Sequence, residues 1–272
     1  MQLNEKINLI TYKNLEKFPE ISHFTTTRQG GVSSGNYASL NVSEYAGDEN
    51  ACVAKNRMLL SDCLQISPSQ IIIPFQTHGD EIKIIPTDFF NFSTQERTFF
   101  LHGVDALITN FSDFCIGITT ADCVPVLLYD PINKVVAAIH AGWRGTVLSI
   151  VEKTIRKMQY HFSSKPEEIY AAIGPCIGKD MYEVGPEVVD AFEENGFPMK
   201  VISFFNEKTA KFHIDLAKAN EYVLKKSGVY LNNIEVASVC TFENSDTFFS
   251  ARKLGIHSGR MVSVIMLNNE NL

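Results

Sequence analysis

The chain has 272 residues, 45% of them apolar, with a mean hydropathy of −0.02 and a formal net charge of −7 at pH 7. These are the figures of an ordinary globule. The acidic balance speaks against general nucleic-acid binding, which needs surplus Lys and Arg to neutralise phosphates.

No apolar run reaches the roughly 18 residues of a membrane-spanning helix. The polar start Met1-Gln2-Leu3-Asn4 lacks the apolar stretch of a secretory signal, so a cytoplasmic protein that engages no membrane is expected. Six cysteines with no CxxC pair speak against a four-thiolate structural zinc site and do not resemble a disulfide framework.

In chain order, residues 21–27 alternate and stop at Arg28-Gln29-Gly30-Gly31, which predicts a strand entering a loop. Residues 30–41, rich in Gly, Ser and Asn, continue that loop. Asp48 is expected to cap a helix to about Leu64, with Val53, Met58, Leu59 and Leu60 on or near its apolar face. Residues 71–73 and 82–85 read as strands flanking the turn Gln76-Thr77-His78-Gly79. Residues 89–100 are aromatic and polar without a clear period and read as a loop, followed by a short strand over 104–109.

The central block predicts strands at 115–119, 123–129 and 135–140, joined by Thr120-Ala121-Asp122 and Asp130-Pro131-Ile132-Asn133. One helix is expected from Gly145-Thr146 to about Tyr160, with Val147, Ile150, Val151, Thr154, Ile155 and Met158 at helical spacing. A strand at 169–173, a helix at 186–195 closed by Gly196, a strand at 212–214, a helix capped by Asp215, and strands at 234–240 and 260–267 complete the chain. There is no internal repeat, charge block or linker. Residues 1–272 therefore read as one α+β domain, a large mixed sheet with flanking helices.

His78, Cys123 and His140 carry the chemical signal. Each sits where an apolar run stops at small or turn-forming residues, and Cys123 and His140 lie seventeen positions apart at the ends of neighbouring strands. Taken singly, each residue type more often serves packing than ligation. Taken together, a Cys/His/His set with no fourth protein ligand suits a zinc ion with one position left for water or substrate. That arrangement points to an enzyme.

Asp122, beside Cys123, either orients His140 from behind or heads an Asx turn. Arg144, Gly145 and Thr146, at the turn after His140, form a candidate phosphate site of guanidinium and helix N–H groups. The alternative is a tight turn with Arg144 exposed, and the stretch is not a Walker sequence. Trp143, the only Trp, stacks on a base or fills the core. Arg57 is a further substrate-binding candidate, set against a solvated helix face, and Arg28, Arg252 and Arg260 are other candidate cations. Cys176 has no adjacent His to act as a base and reads as structural. His213 reads as packing; His23, His102, His161 and His257 have no neighbours that suggest ligation.

Several blocks occur in a set order: HFTTTRQGGVSSGNYASLN from His23, QTHG around His78, TTADCVPVLLYD around Cys123 and HAGWRGT around His140, then GPCIG, MYEVG, and FFSARK with a later GR. Together they resemble the YfiH-like laccase-domain family, described variously as polyphenol oxidases and purine nucleoside phosphorylases. The resemblance runs from about His23 to the end of the chain. It implies a single α+β domain with a mixed sheet and metal ligands at His78, Cys123 and His140.

The implied activity is zinc-dependent cleavage of adenosine, inosine or methylthioadenosine by phosphate, giving base and ribose 1-phosphate, with adenosine deamination at its side. The expected partners are purine nucleoside and phosphate; the oligomeric state is left open. Copper-dependent polyphenol oxidation is the alternative, although seven scattered His without an HxH pair suit a multicopper centre poorly. A cysteine hydrolase acting on peptidoglycan-type amides through Cys123 or Cys176 is a further reading. The chain departs from the family at Gly178-Lys179-Asp180-Met181, which lacks cysteines many members carry. Ala251 also stands where a Tyr is common, a change that bears on substrate fit.

Overall fold

Strands buried on both faces need cover on both sides. Every residue of Val124–Asp130, Val135–Ala141 and Met261–Leu267 is buried. A computed structural model describes residues 7–112 and 114–269 and shows how that cover is supplied.

The elements in chain order are β1 (Leu9–Ile10), α1 (Lys13–Glu16), β2 (Ile21–Thr26), α2 (Asn50–Leu64), β3 (Ile71–Ile72), β4 (Ile82–Ile84), α3 (Thr94–Phe100), β5 (Ala106–Thr109), β6 (Cys115–Thr120), β7 (Val124–Asp130) and β8 (Val135–Ala141). They continue with α4 (Trp143–Val147), α5 (Ile150–Phe162), β9 (Tyr170–Ile173), β10 (Glu183–Val184), α6 (Pro186–Glu194), α7 (Met199–Ile202), β11 (Ser203–Asn206), β12 (Lys211–Ile214), α8 (Leu216–Lys226), β13 (Ile234–Val236), α9 (Ala251–Leu254) and β14 (Met261–Leu267). No helix among the described residues is long and apolar enough to cross a membrane.

The α+β class with mixed sheets is as expected, but the one large sheet divides. One sheet runs β13-β9-β7-β8-β5-β4, a second runs β1-β2-β14-β6-β3, and a small third runs β10-β12-β11. The two larger sheets mix parallel and antiparallel pairs. Strand alternation sends Ile116, Ile118 and Ile265 of one sheet against Leu127, Tyr129 and Val136 of the other. The outward residues of the six-stranded sheet, such as Val126, Leu128 and Ile139, pack on Ile150 and Ile155 of α5 and Val223 of α8. Phe24, Val262 and Val264 of the five-stranded sheet pack on Leu60 and Leu64 of α2. The layers are thus helix, sheet, sheet, helix. Successive strands β6 and β7 belong to different sheets, and the chain crosses between them at Ala121-Asp122-Cys123, where Asp122 takes a left-handed φ of 92°.

Four local expectations change. Residues 89–100 hold a 3-10 turn and α3, whose start is a capping box: Ser93 Oγ accepts from Glu96 N at 3.3 Å and the Glu96 carboxylate accepts from Ser93 N at 2.7 Å. The helix expected over 145–160 is two helices, broken where Ser149 takes φ 58°. Asp48 is not the N-cap of α2; its carboxylate accepts from Ser33 Oγ, Asn41 Nδ2 and Glu49 N, and Met58 is exposed rather than apolar-facing. The strand expected over 234–240 stops at Val236, and Cys240 meets Cys176 in an isolated parallel bridge.

Candidate metal centre

His78 lies in the loop after β3, in a left-handed conformation of φ 61°. Two side chains hold that loop. The Gln76 amide accepts from Thr119 N at 2.7 Å and donates to Thr119 O at 2.9 Å, tying it to the end of β6. Asp105, fully buried before β5, accepts from Thr77 N at 3.3 Å, His78 N at 3.1 Å and Gly79 N at 2.8 Å. The same carboxylate lies 2.7 Å from His140 Nδ1. A carboxylate can only accept, so Nδ1 carries the proton and Nε2 is left as the free donor atom of the ring.

His140 is the last residue but one of β8 and is 2% exposed. Cys123 follows the crossover into β7. Ring nitrogens of His78 and His140 and Cys123 Sγ all lie within 4.8 Å of one another, and the two rings meet edge-on. Gly142 makes room: a Cβ there would sit 3.2 Å from Cys123 Sγ and 3.3 Å from His78 Cδ2.

The electrostatics match a thiolate ligand. Burial pushes the Cys123 thiol up, yet the charge and hydrogen bonds of His140 and His78 outweigh it and bring the pKa down to about 6. Burial pushes His140 down, but Cys123 and Asp105 raise it to about 9. Asp105 is disfavoured by burial and still held below the usual carboxylate range by His140 and the loop N–H groups. Two imidazoles and an easily ionised thiol fit zinc, and copper by the same donor preference.

These three side chains line a cavity of about 770 Å³. Its aromatic wall is Tyr45, Phe75, Trp143 and Tyr182, and its cations are Arg144, Arg252 and Arg260.

The profile of the family described as multi-copper polyphenol oxidoreductase laccase matches residues 22–268. The chain belongs to this family. It is 47% identical over 260 residues to a purine nucleoside phosphorylase of Bacteroides thetaiotaomicron, covering 96% of each chain. It is 40% identical to adenosine deaminase RL5 of an unknown prokaryotic organism, over 88% of this chain and 91% of that one. Among solved structures, YfiH of Bacillus licheniformis superposes with a TM-score of 0.86 at 30% identity over 97% of both chains. YlmD of Geobacillus stearothermophilus does so with 0.86 at 31% over 93% of both.

Against that family fold, the residues singled out from sequence divide. His78, Cys123 and His140 come together, and Arg144 lines the cavity with its guanidinium 4.3 Å from the Trp143 ring centre. Asp122 also lines it but does not orient His140. Its oxygens accept from Thr241 Oγ1 at 2.6 Å and Arg252 N at 2.7 Å, and the partner of His140 is Asp105.

Gly145 and Thr146 are buried and do not line the cavity. Thr146 N donates to Gly142 O at 2.8 Å, so its N–H is spent within α4, a helix of five residues. Arg57 is turned away: it donates to Ile71 O at 2.9 Å and pairs with Glu44 at 3.5 Å. Arg28 holds the carbonyls of Ala38 and Ser245. Cys176 is buried with its thiol pushed up, as a structural residue would be. The side chains missed are Asp105, Tyr182 and Thr120. Asp105 had a signal, a charged residue abutting the apolar strand Ala106–Thr109.

Proposed function

We propose that the protein is a metal-dependent enzyme that cleaves purine nucleosides with phosphate, giving free base and ribose 1-phosphate, and deaminates adenosine at the same centre. One observation carries the reading. The donors of His78, Cys123 and His140 converge within 4.8 Å on a cavity of about 770 Å³, and no fourth His, Cys, Asp or Glu joins them among the described residues. The names borne by the relatives, purine nucleoside phosphorylase and adenosine deaminase, support it.

His78, Cys123 and His140 would hold zinc, with copper as the second choice. Bound by three protein ligands, zinc supplies a Lewis acid that polarises an oxygen or lowers the pKa of water to about 7.

The chain's own residues do the rest. Tyr45 and Phe75, edge-on at 4.7 Å, and Trp143 offer aromatic surface for a purine. Burial raises the Tyr182 phenol and Cys123 raises it further, against the pull of Arg252 and Arg144. Its Oη therefore keeps its proton at neutral pH and donates to the purine as negative charge develops there during glycosidic cleavage. Arg144 presents a planar fork to phosphate. Asp105 fixes the His140 ring, so it is a positioning residue.

The laccase description meets an obstacle in the same cavity. His78, Cys123 and His140 would hold a copper ion too, but a multicopper centre needs many more His, and among the described residues no further His lines the cavity. A second reading does have an observation behind it. Cys123, His140 and Asp105 stand in the order of a nucleophile, base and orienting carboxylate, which favours a cysteine hydrolase if no metal binds. Alkylating Cys123 would abolish either activity, but chelation would abolish only the first. Incubation of purified protein with adenosine and phosphate, followed by mass spectrometry, tests the proposal. Ribose 1-phosphate with adenine is the expected result, and its absence from metal-loaded protein refutes phosphorolysis.

A further inference from the structure

Arg144, Arg252 and Arg260 line the cavity, and among the described residues none has a carboxylate within ion-pair distance. Arg260 is instead held by carbonyls, those of Ser258 at 2.6 Å and of Gly259 and Ile256 at 3.0 Å. Arg252 donates to Glu183 O at 3.1 Å and lies 5.2 Å from the Tyr182 ring centre.

Carbonyls take some of the guanidinium hydrogens but leave the charge unbalanced. Asp122, the only carboxylate lining the cavity among the described residues, already accepts from Thr241 Oγ1 and the Arg252 N–H. Burial draws the Arg260 pKa down, and Cys123, Asp122 and Tyr37 offset that only in part.

A second, independent sign lies beside Arg260. Thr120 lines the cavity, is 1% exposed, and its Oγ1 has no hydrogen-bond partner among the described residues. Its register partner on β14 is Met261, the residue after Arg260. Buried hydroxyls are nearly always partnered, so an orphan one in a cavity wall marks a place for a ligand atom.

We propose that Arg252, Arg260 and the Thr120 hydroxyl form the subsite for a tetrahedral dianion, with Arg144 as a third cation, at the β6–β14 side of the cavity rather than on the N–H groups of Gly145 and Thr146. The identity of that anion as phosphate rests on the phosphorolysis reading above. The oxygens of the dianion accept from the guanidinium hydrogens that these carbonyls leave free and from Thr120 Oγ1. Three positive side chains against one engaged carboxylate favour a double over a single negative charge.

Calorimetric titration of inorganic phosphate, and separately sulfate, into metal-loaded protein without nucleoside tests this directly. Wild type is expected to bind both anions. Arg252→Ala, whose side chain is exposed and unpaired with any acid, is expected to raise the phosphate Kd about tenfold or more, on the scale of a charge-assisted hydrogen bond. Arg260→Lys keeps a charge but loses the fork and is expected to do the same. Thr120→Val, of matching shape, is expected to weaken binding about threefold. Arg156→Ala, on the outer surface of α5, is expected to change nothing.

Phosphate affinity within twofold of wild type in both arginine variants overturns the proposal, as does failure of wild type to bind either anion. Binding that follows these residues without any ribose 1-phosphate leaves the subsite standing and removes phosphorolysis. Phosphorolysis whose KM for phosphate is unmoved by Arg252→Ala removes the subsite and leaves the activity.

Discussion

Asp105→Asn is the most revealing single change. Two carboxylate oxygens receive four donors: Oδ1 takes His78 N and His140 Nδ1, while Oδ2 takes Thr77 N and Gly79 N. Asparagine has one acceptor oxygen, so in either orientation its NH₂ group faces two N–H donors in a fully buried position. Two charge-assisted hydrogen bonds at about 1.5–3 kcal/mol each are lost, giving a destabilisation of about 3–6 kcal/mol before relaxation. The metal centre suffers too, because the His78 loop loses either two of its three anchoring hydrogen bonds or one of them together with the anchor of the His140 ring. A weakening of metal affinity of about 10–100-fold is expected for an orienting partner of this kind. Competition of the protein with a chelator for zinc measures the second effect, and urea unfolding of the metal-free protein the first. Zinc affinity within a factor of two of wild type, with an unchanged unfolding midpoint, would refute the role given to Asp105.

His78→Ala, Cys123→Ala and His140→Ala should each lose bound metal and phosphorolysis, checked by metal analysis and ribose 1-phosphate release. In metal-free protein, alkylation of Cys123 should rise through a midpoint at about pH 6, against about 8.5 for an ordinary thiol; below the midpoint the thiol is protonated and unreactive, and added zinc should protect it. Gly142→Ala puts a methyl group 3.2 Å from Cys123 Sγ and should weaken metal binding about tenfold, read by the same chelator competition. Ala251→Tyr, which fills part of the cavity wall, should shift the KM for nucleoside while leaving metal content alone.

The three ligand candidates were legible because each is a soft or imidazole donor placed beside turn-forming residues at a strand end, a local signal. Asp105 stood out only as a charged residue abutting an apolar strand; its role was hidden, because its partners lie 27 and 35 positions away and meet it only in the folded chain. Strands β6, β7 and β14 read as apolar runs, which look alike whether they join one sheet or pack as two. The crossover at Asp122 is therefore invisible in periodicity. The break between α4 and α5 falls at Leu148-Ser149, with neither Gly nor Pro to announce it. The anion site was placed at Gly145 and Thr146 because a strand-to-helix turn usually frees N–H groups. In this short helix the Thr146 N–H already serves Gly142 O. By contrast, Arg252 and Arg260 reach the cavity from the far end of the chain, where no local pattern links them to His140.

The central claim is that one ion, gripped by His78, Cys123 and His140, is what makes the protein an enzyme. Stripping the protein with a chelator and titrating zinc back, while following ions bound per chain and ribose 1-phosphate formed from adenosine and phosphate, tests it most directly. No product is expected from the stripped protein, and activity should rise in step with zinc to a plateau at one ion per chain. Full turnover by metal-free protein, or an ion retained by the His140→Ala variant, would contradict it.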